Sequence, residues 1–385
     1  MRIAMVTETF PPEINGVALT VAGLAQSLRE AGHSVQIVRP RQADDDADEN
    51  GSDVLVRGAR LPKYPELQFG LPTARRLRKL WKDARPDAIY VATEGPLGYS
   101  ALRAARALRI PAATGFHTRF DDFARHYGFG FLTPVVFAYL RRFHRLGSAT
   151  LVPTLELRDF LVENQFGNVA LLRRAVDNAL FSPTRRDEAL RKQWGLAPGR
   201  IAVVYVGRIA PEKNLPLAVR AFREIQKIHR DARYIWIGDG PSRAALAAEN
   251  PDFIFAGIQR GAELARHVAS ADLFVFPSLT ETFGNVTLEA LASGLPTVAF
   301  DYGAAREHLA AKCGRCVPFG NEDAFVQATL NLVRSDVTRA DIRAAAVAAV
   351  AELNPVSVTA SFAKLLATLP PLDHKITGTL GEGAA

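Results

Sequence analysis

I-A-V-V-Y-V-G-R-I-A-P-E-K-N (Ile201–Asn214) sets an unbroken apolar run against a loop that holds a glycine and two cations. A strand that is apolar on both faces belongs in a parallel sheet covered on both sides. The polar continuation then lies at the strand's carboxyl end, where open α/β sheets bind ligands. The amino terminus follows the same order. Arg2–Glu8 is an apolar strand, Val17, Val21, Leu24 and Leu28 recur at helical spacing, Gly32 ends that helix, and Val35–Val38 opens the next strand. The run at Ile201 therefore begins a second series.

Between the two starts, further strands are expected at Ala88–Thr93, Pro111–Phe116, Ala149–Val152 and Val169–Leu172. After Ile201–Val206 come Tyr234–Ile237, Phe253–Ala256, Leu273–Phe276 and Thr297–Phe300. Helical segments separate them, which predicts two doubly wound α/β domains facing each other across a cleft. D-N-A-L-F-S-P-T-R-R-D (Asp177–Asp187) suits the linker. The expected division is 1–178 and 179–354, with a last helix starting at Pro355 and running over Val356–Leu369 back to the first domain. Residues 370–385 are expected to be a disordered tail.

The 385 residues are 48% hydrophobic and 23% charged, enough to bury two cores. No apolar run approaches the roughly 20 residues that span a bilayer. The amino terminus has no apolar h-region and no cleavage site, so the expected location is cytoplasmic. Cys313 and Cys316 form a lone C-x-x-C without a second ligand pair and read as a glycine-containing turn. The net charge of +7 and pI of 9.5 favour an anionic partner without choosing among nucleic acid, anionic lipid and nucleotide-sugar phosphate.

Four places could carry chemistry. Asn15-Gly16 precedes the first helix and reads either as an anion site of free amides or as a capped turn. Arg208 and Lys213, in the loop after the second domain's first strand, suit a diphosphate as a guanidinium fork plus an ammonium. S-L-T-E-T-F-G-N-V-T-L-E-A (Ser278–Ala290) opens a helix at Gly284 and leaves the amides of about residues 284–287 for a second anion. Glu281 stands before that start and would accept from uncharged hydroxyls. Glu289 leans back toward the helix start and could hold the vicinal hydroxyls of a ribose. The helix dipole alone would account for Glu281 but not for Glu289. His117, in G-F-H-T-R-F-D-D-F (Gly115–Phe123), ends a strand of the first domain; Asp121-Asp122 beside it lacks a third metal ligand.

Together these elements resemble the retaining nucleotide-sugar glycosyltransferases of family 4, the GT-B type with two Rossmann-like domains. The branch is that of bacterial α-mannosyltransferases and of glycolipid and sulfolipid synthases. The E-x7-E pair of Glu281 and Glu289 carries most of the resemblance, joined by G-R-I-A-P-E-K-N, I-G-D-G-P (Ile237–Pro241) and the early N-G-V. The resemblance implies an acceptor-binding first domain and a second domain that binds the nucleotide-sugar. It implies that Arg208 and Lys213 neutralise the donor diphosphate, while Gly16, Gly238 and Phe283–Val286 (including Gly284 and Asn285) approach phosphates and sugar. Glu281 would hold sugar hydroxyls, Glu289 the ribose, His117 the donor sugar near its anomeric carbon, and Gly257-Ile258 the base. It also implies metal-independent catalysis with no cofactor. R-R-A-V-D (Arg173–Asp177) departs from the family by having alanine where many members have glycine.

GDP-mannose and a UDP-hexose both remain as donors. A nucleotide-sugar epimerase, a phosphorylase or a non-catalytic basic lipid- or nucleic-acid-binding protein is the alternative; the glycosyltransferase reading expects no nucleic acid. The expected acceptor is a lipid or glycan. T-A-R-R-L-R-K-L-W-K (Thr73–Lys82) interleaves Arg75, Arg76, Arg78 and Lys79 with Leu77 and Trp81, and reads either as a segment docking on an anionic membrane surface or as core apolar residues beneath a solvated cationic face. Arg119 and the aromatic, basic stretch Phe129–Arg145 are further acceptor or membrane candidates. Nothing in the sequence sets an oligomeric state.

Overall fold

The computed structural model describes residues 1–13, 15–42, 53–61, 64–117, 133–281, 283–309, 312–334 and 339–372. Two units emerge, Met1–Arg173 with Pro355–Ala385, and Arg174–Asn354. The division precedes residue 178 because the segment after Arg173 is tied to the second unit. The Val176 N–H donates to Leu353 O, and the Asn178 amide donates to Val350 O and Ala351 O.

The first unit runs β1 (Arg2–Val6), α1 (Gly16–Glu30), β2 (Ser34–Pro40), β3 (Asp53–Val56), β4 (Gly58–Leu61), β5 (Tyr64–Gly70), α2 (Ala74–Asp83), β6 (Ala88–Val91), α3 (Pro96–Leu108), β7 (Ala112–Gly115), α4 (Thr133–His144), β8 (Ala149–Val152), α5 (Leu155–Glu163) and β9 (Val169–Leu171). Its sheet has the order β3-β2-β1-β6-β7-β8-β9 and is parallel throughout. The chain order reverses between β1 and β6, so the switch point lies at their carboxyl ends.

The second unit runs α6 (Glu188–Gln193), β10 (Ala202–Val206), α7 (Leu215–Ile228), β11 (Arg233–Ile237), α8 (Arg243–Glu249), β12 (Ile254–Gly257), α9 (Gly261–Ala269), β13 (Leu273–Phe276), α10 (Asn285–Ala292), β14 (Thr297–Phe300), α11 (Gly303–His308), β15 (Gly314–Val317), α12 (Glu322–Arg334) and α13 (Arg339–Ala349). Its order, β12-β11-β10-β13-β14-β15, is again parallel and puts the switch between β10 and β13. Every residue of β10 and β13 is buried, as their unbroken apolar runs require. Three guanidiniums close on Asp272 at the start of β13, from Arg191 at 2.9 Å, Arg186 at 3.1 Å and Arg343 at 3.2 Å. The same carboxylate accepts the Ala202 N–H, so this basic cluster is spent on joining α6, α13 and two strands.

α14 (Pro355–Ala367) returns to the first unit. Its Val358, Phe362 and Leu366 join Val21, Leu24 and Leu28 of α1 in one buried cluster. The C-x-x-C stretch is a turn only at its start, because β15 begins at Gly314. A Cβ there would stand 2.2 Å from Thr297 O of the neighbouring strand, so only glycine enters this edge. Neither cysteine is in a disulfide, and burial, aided by Asp301, pushes the Cys316 thiol up to about 12.

Candidate functional site

In the second unit the two strands at the switch each deliver one side of a polar cluster. The loop after β10 is held by the Tyr205 hydroxyl, which donates to Arg208 O at 2.9 Å. Lys213 Nζ reaches the loop after β13 and donates to Thr280 O at 3.0 Å and Glu281 Oε1 at 2.6 Å. Ser278 Oγ donates to the same carboxylate oxygen at 2.9 Å, and Tyr302 OH donates to Ser278 O at 2.8 Å. Both members of the ion pair are largely sheltered, with side chains 15% and 20% exposed. Glu281 is therefore not the lone acid that the sequence shows. The two cations also part company: Arg208 is 63% exposed and pairs with Glu212 at 3.5 Å. The loop spacing alone could not foresee this, since each cation finds a nearer carboxylate.

The helix start follows. Gly284 sits at φ 92°, ψ 61°, a left-handed conformation that favours glycine, and no side chain caps α10. The Thr287 N–H is taken by Gly284 O, so the open amides are those of residues 284–286 rather than 284–287. Phe283 contributes no free carbonyl, because its oxygen accepts the Ala304 N–H at 2.7 Å and its ring is buried. Asn285 and Val286 are half-buried at the start of the helix. Glu289, one turn further in, keeps part of its surface open. Surrounding protein nevertheless strips water from its carboxyl, and burial alone pushes it up to about 7. No ion pair or hydrogen bond holds it among the described residues.

Gly238 has a packing reason for being glycine. At φ 134° its Cβ would stand 2.0 Å from Gly207 O, in the loop that carries Arg208. Gly238→Ala should destabilise the second unit by roughly 2–4 kcal/mol through backbone displacement. The check is thermal denaturation beside Gly16→Ala, whose Cβ meets nothing within 4 Å and which should leave the Tm within a degree or two. Ile258, just past β12, is 59% exposed.

In the first unit, Asn15 decides between the two readings of N-G-V. Its Oδ1 accepts from Val17 N at 3.1 Å and Ala18 N at 2.8 Å, so the start of α1 is a capped turn. Glu8, absent from the expected site, occupies the switch itself. Its carboxylate accepts the N–H groups of Gly70 and Leu97, and burial pushes it up to about 7 against those amides. Gly95 must lack a Cβ, which would stand 2.2 Å from Glu8 Oε1. The readable signal was a charged residue directly after an apolar strand, but its partners lie far along the chain.

His117 is buried just beyond β7, its Nε2 sharing a 2.7 Å hydrogen bond with Tyr90 OH. A Cβ on Gly115 would stand 2.3 Å from that hydroxyl. Behind Tyr90 lies Phe362 of α14, with ring centroids 5.1 Å apart. The returning helix thus backs the tyrosine that orients the histidine.

For the basic helix α2 the structure decides where the apolar residues go. Leu77 and Trp81 are fully buried, and Trp81 Nε1 donates to Gln36 Oε1 at 3.2 Å. Trp81 is core, and the exposed face consists of Arg75, Arg76, Arg78, Lys79 and Lys82. In Phe129–Arg145, Leu140, Phe143 and His144 are buried, while Val135 is exposed. Arg119, Asp121-Asp122, residues 129–132 and the tail from 373 lie outside the described residues. No helix among the described residues is long and apolar enough to cross a membrane.

Comparison with known proteins gives the family. Residues 14–180 match the model described as Glycosyltransferase Family 4, and residues 200–335 match Glycosyl transferases group 1. A GDP-mannose-dependent alpha-mannosyltransferase of Mycobacterium tuberculosis (strain CDC 1551 / Oshkosh) is 34% identical over 86% of this chain and 88% of its own. Its namesake in Mycolicibacterium smegmatis is 36% identical, over 81% and 83%. The crystal structure of Anabaena HepE in complex with UDP superposes with a TM-score of 0.75 at 18% identity, covering 96% of this chain and 100% of that one. The chain is a member of glycosyltransferase family 4 and has the GT-B fold.

Proposed function

We propose that this hexosyltransferase moves mannose from GDP-mannose to a hydroxyl of a membrane lipid or glycolipid, with retention and without a metal ion. The observation that carries the reading is the second unit's switch point. There an uncapped helix start at a left-handed glycine, a desolvated Glu289 and the Lys213–Glu281 pair stand together. The open amides and the cations Arg208 and Lys213 take the diphosphate. Glu289 accepts from the ribose hydroxyls, and Glu281, steadied by Lys213 and Ser278, accepts from the sugar. His117, its Nε2 engaged by Tyr90, is assigned to the donor sugar near its anomeric carbon. The positive charge of Arg208 and Lys213 beside the leaving diphosphate takes the place of a metal, and no carboxylate nucleophile is needed, unlike the two-carboxylate glycosidases. The names of the mannosyltransferase relatives favour GDP-mannose over a UDP-hexose. Relatives that include the alpha-monoglucosyldiacylglycerol synthase of Streptococcus pneumoniae, 28% identical over 78% of this chain, favour a lipid acceptor.

A thermal-shift panel of GDP, UDP and ADP with their sugars tests the donor. GDP and GDP-mannose should raise the Tm most, and transfer to lipid should survive EDTA. A requirement for inorganic phosphate would mark a phosphorylase, and no response to any nucleoside diphosphate would favour a binding protein. The exposed cations of α2 support a peripheral place at the cytoplasmic face of the membrane, held by charge without aromatic insertion. Neutralising Arg75, Arg76, Arg78 and Lys79 to glutamine should abolish co-sedimentation with anionic vesicles at low salt. Retained binding would overturn that placement.

A further inference from the structure

The first unit carries a cavity that none of these roles uses. It measures 470 Å³, within the range of small-molecule sites. Its walls are carbon: Pro72, Pro96, Phe143 and the rings of Tyr99 and Tyr139. The Tyr139 hydroxyl donates to Glu94 O at 2.5 Å, which fixes that ring as a wall. Ser100 is spent as well, accepting the Thr73 N–H and donating to Pro96 O.

The polar groups left over are of one kind. Arg103 of α3 and Arg142 of α4 both line the cavity and are exposed. Among the described residues neither has an ion pair or a hydrogen bond, and the Tyr99 hydroxyl has no partner either. Many arginines among the described residues find carboxylates or carbonyls; these two line an apolar hollow. A ligand that satisfies both features must join hydrocarbon to an anion. Guanidinium forks favour a phosphodiester over a single carboxylate oxygen. The same cavity touches Ala74, the first residue of α2, so it is continuous with that helix's cationic face.

We propose that this cavity binds one molecule of an anionic phospholipid, an acyl chain against the carbon walls and the phosphate on Arg103 and Arg142. The inference rests on the reading of a membrane-facing first unit, but it adds a stoichiometric site to a diffuse charged face.

The test is calorimetric titration of the full chain with dihexanoyl-phosphatidylglycerol below its micelle concentration. Dihexanoyl-phosphatidylcholine, hexanoate and inorganic phosphate are the comparisons. Saturable one-to-one binding of the phosphatidylglycerol alone is expected. It should weaken at least tenfold in Arg103→Gln/Arg142→Gln, and equally in Ala74→Phe, which fills the hollow but keeps both guanidiniums. Neutralising Arg75, Arg76, Arg78 and Lys79 should leave it unchanged. A preserved rise in Tm with nucleoside diphosphate shows that each variant is folded. Equal binding of phosphatidylcholine, hexanoate or inorganic phosphate overturns the site, as does unchanged affinity in either cavity variant. If short-chain lipid binds but vesicles do not, the membrane placement fails and the site stands; the opposite pattern sinks the site alone.

Discussion

Glu281→Ala lowers kcat for sugar transfer by about 10²–10³-fold while nucleoside diphosphate affinity stays within roughly threefold. The expectation follows from what Glu281 touches. It accepts from Lys213 at 2.6 Å and from Ser278 at 2.9 Å, so its outer oxygen can be held toward a sugar hydroxyl. Without it, Lys213 keeps Thr280 O and its positive charge, which still serves a diphosphate. Lys213→Ala has the opposite balance. It leaves a sheltered carboxylate without its cation next to an anionic ligand, and like charges so placed cost several kcal/mol. Nucleoside diphosphate binding should weaken by about 10²-fold or more. Adding Glu281→Ala to Lys213→Ala should then recover part of that loss, a coupling of about 0.5–3 kcal/mol. Calorimetry and steady-state kinetics on the four proteins close the cycle. Equal losses of binding and transfer in Glu281→Ala would contradict its role on the sugar.

Nucleoside diphosphate affinity should weaken by about tenfold between pH 8 and pH 6, because a carboxyl titrating near 7 is mostly ionised at the first and mostly protonated at the second. The residue is Glu289, raised from 4.5 to about 7 by burial. A ribose diol donates to the ionised form, so binding draws on the carboxylate. In Glu289→Gln this part of the pH dependence should vanish, and the remaining slope reports the ligand's own phosphate. Stability of the ligand-free protein runs the other way. A folded value above the unfolded one favours the protein fully below about 4.5 and loses that contribution as pH rises through 7. Glu8, raised to about 7 as well, acts in the same direction. The difference in Tm between wild type and Glu289→Gln across pH 5–8 isolates the single group. An identical pH profile in the two proteins would remove Glu289 from the ribose.

The strands at Ala149–Val152, Leu273–Phe276 and Thr297–Phe300 were legible to the residue, because a run buried on both faces is apolar with at most one threonine. β15 was not, since an edge strand of G-R-C-V carries an arginine and depends on a glycine that only its neighbour's carbonyl explains. The hairpin of β4 and β5 also escaped: Leu67 and Phe69 alternate with Glu66 and Gln68 over too short a span to stand out, and the order arises from pairing. Trp81 left two readings open, because a tryptophan among cations has the composition of a membrane anchor as well as of a core residue under a charged face. Burial against β2, through Gln36, decides for the second.

Of the site, the sequence by itself determined the elements: a glycine-led helix after β13, one acid before it and a second eight residues on inside it, and two cations after β10. Local periodicity and turn chemistry are short-range properties and can be read in order. Partnership is long-range, and only the tertiary structure decided it. Lys213 meets Glu281 across 68 residues, Tyr90 orients His117 with a C-terminal helix at its back, and Glu8 joins a hairpin to α3. A carboxylate's partner depends on which strands lie side by side, and in both sheets the switch in strand order sets that.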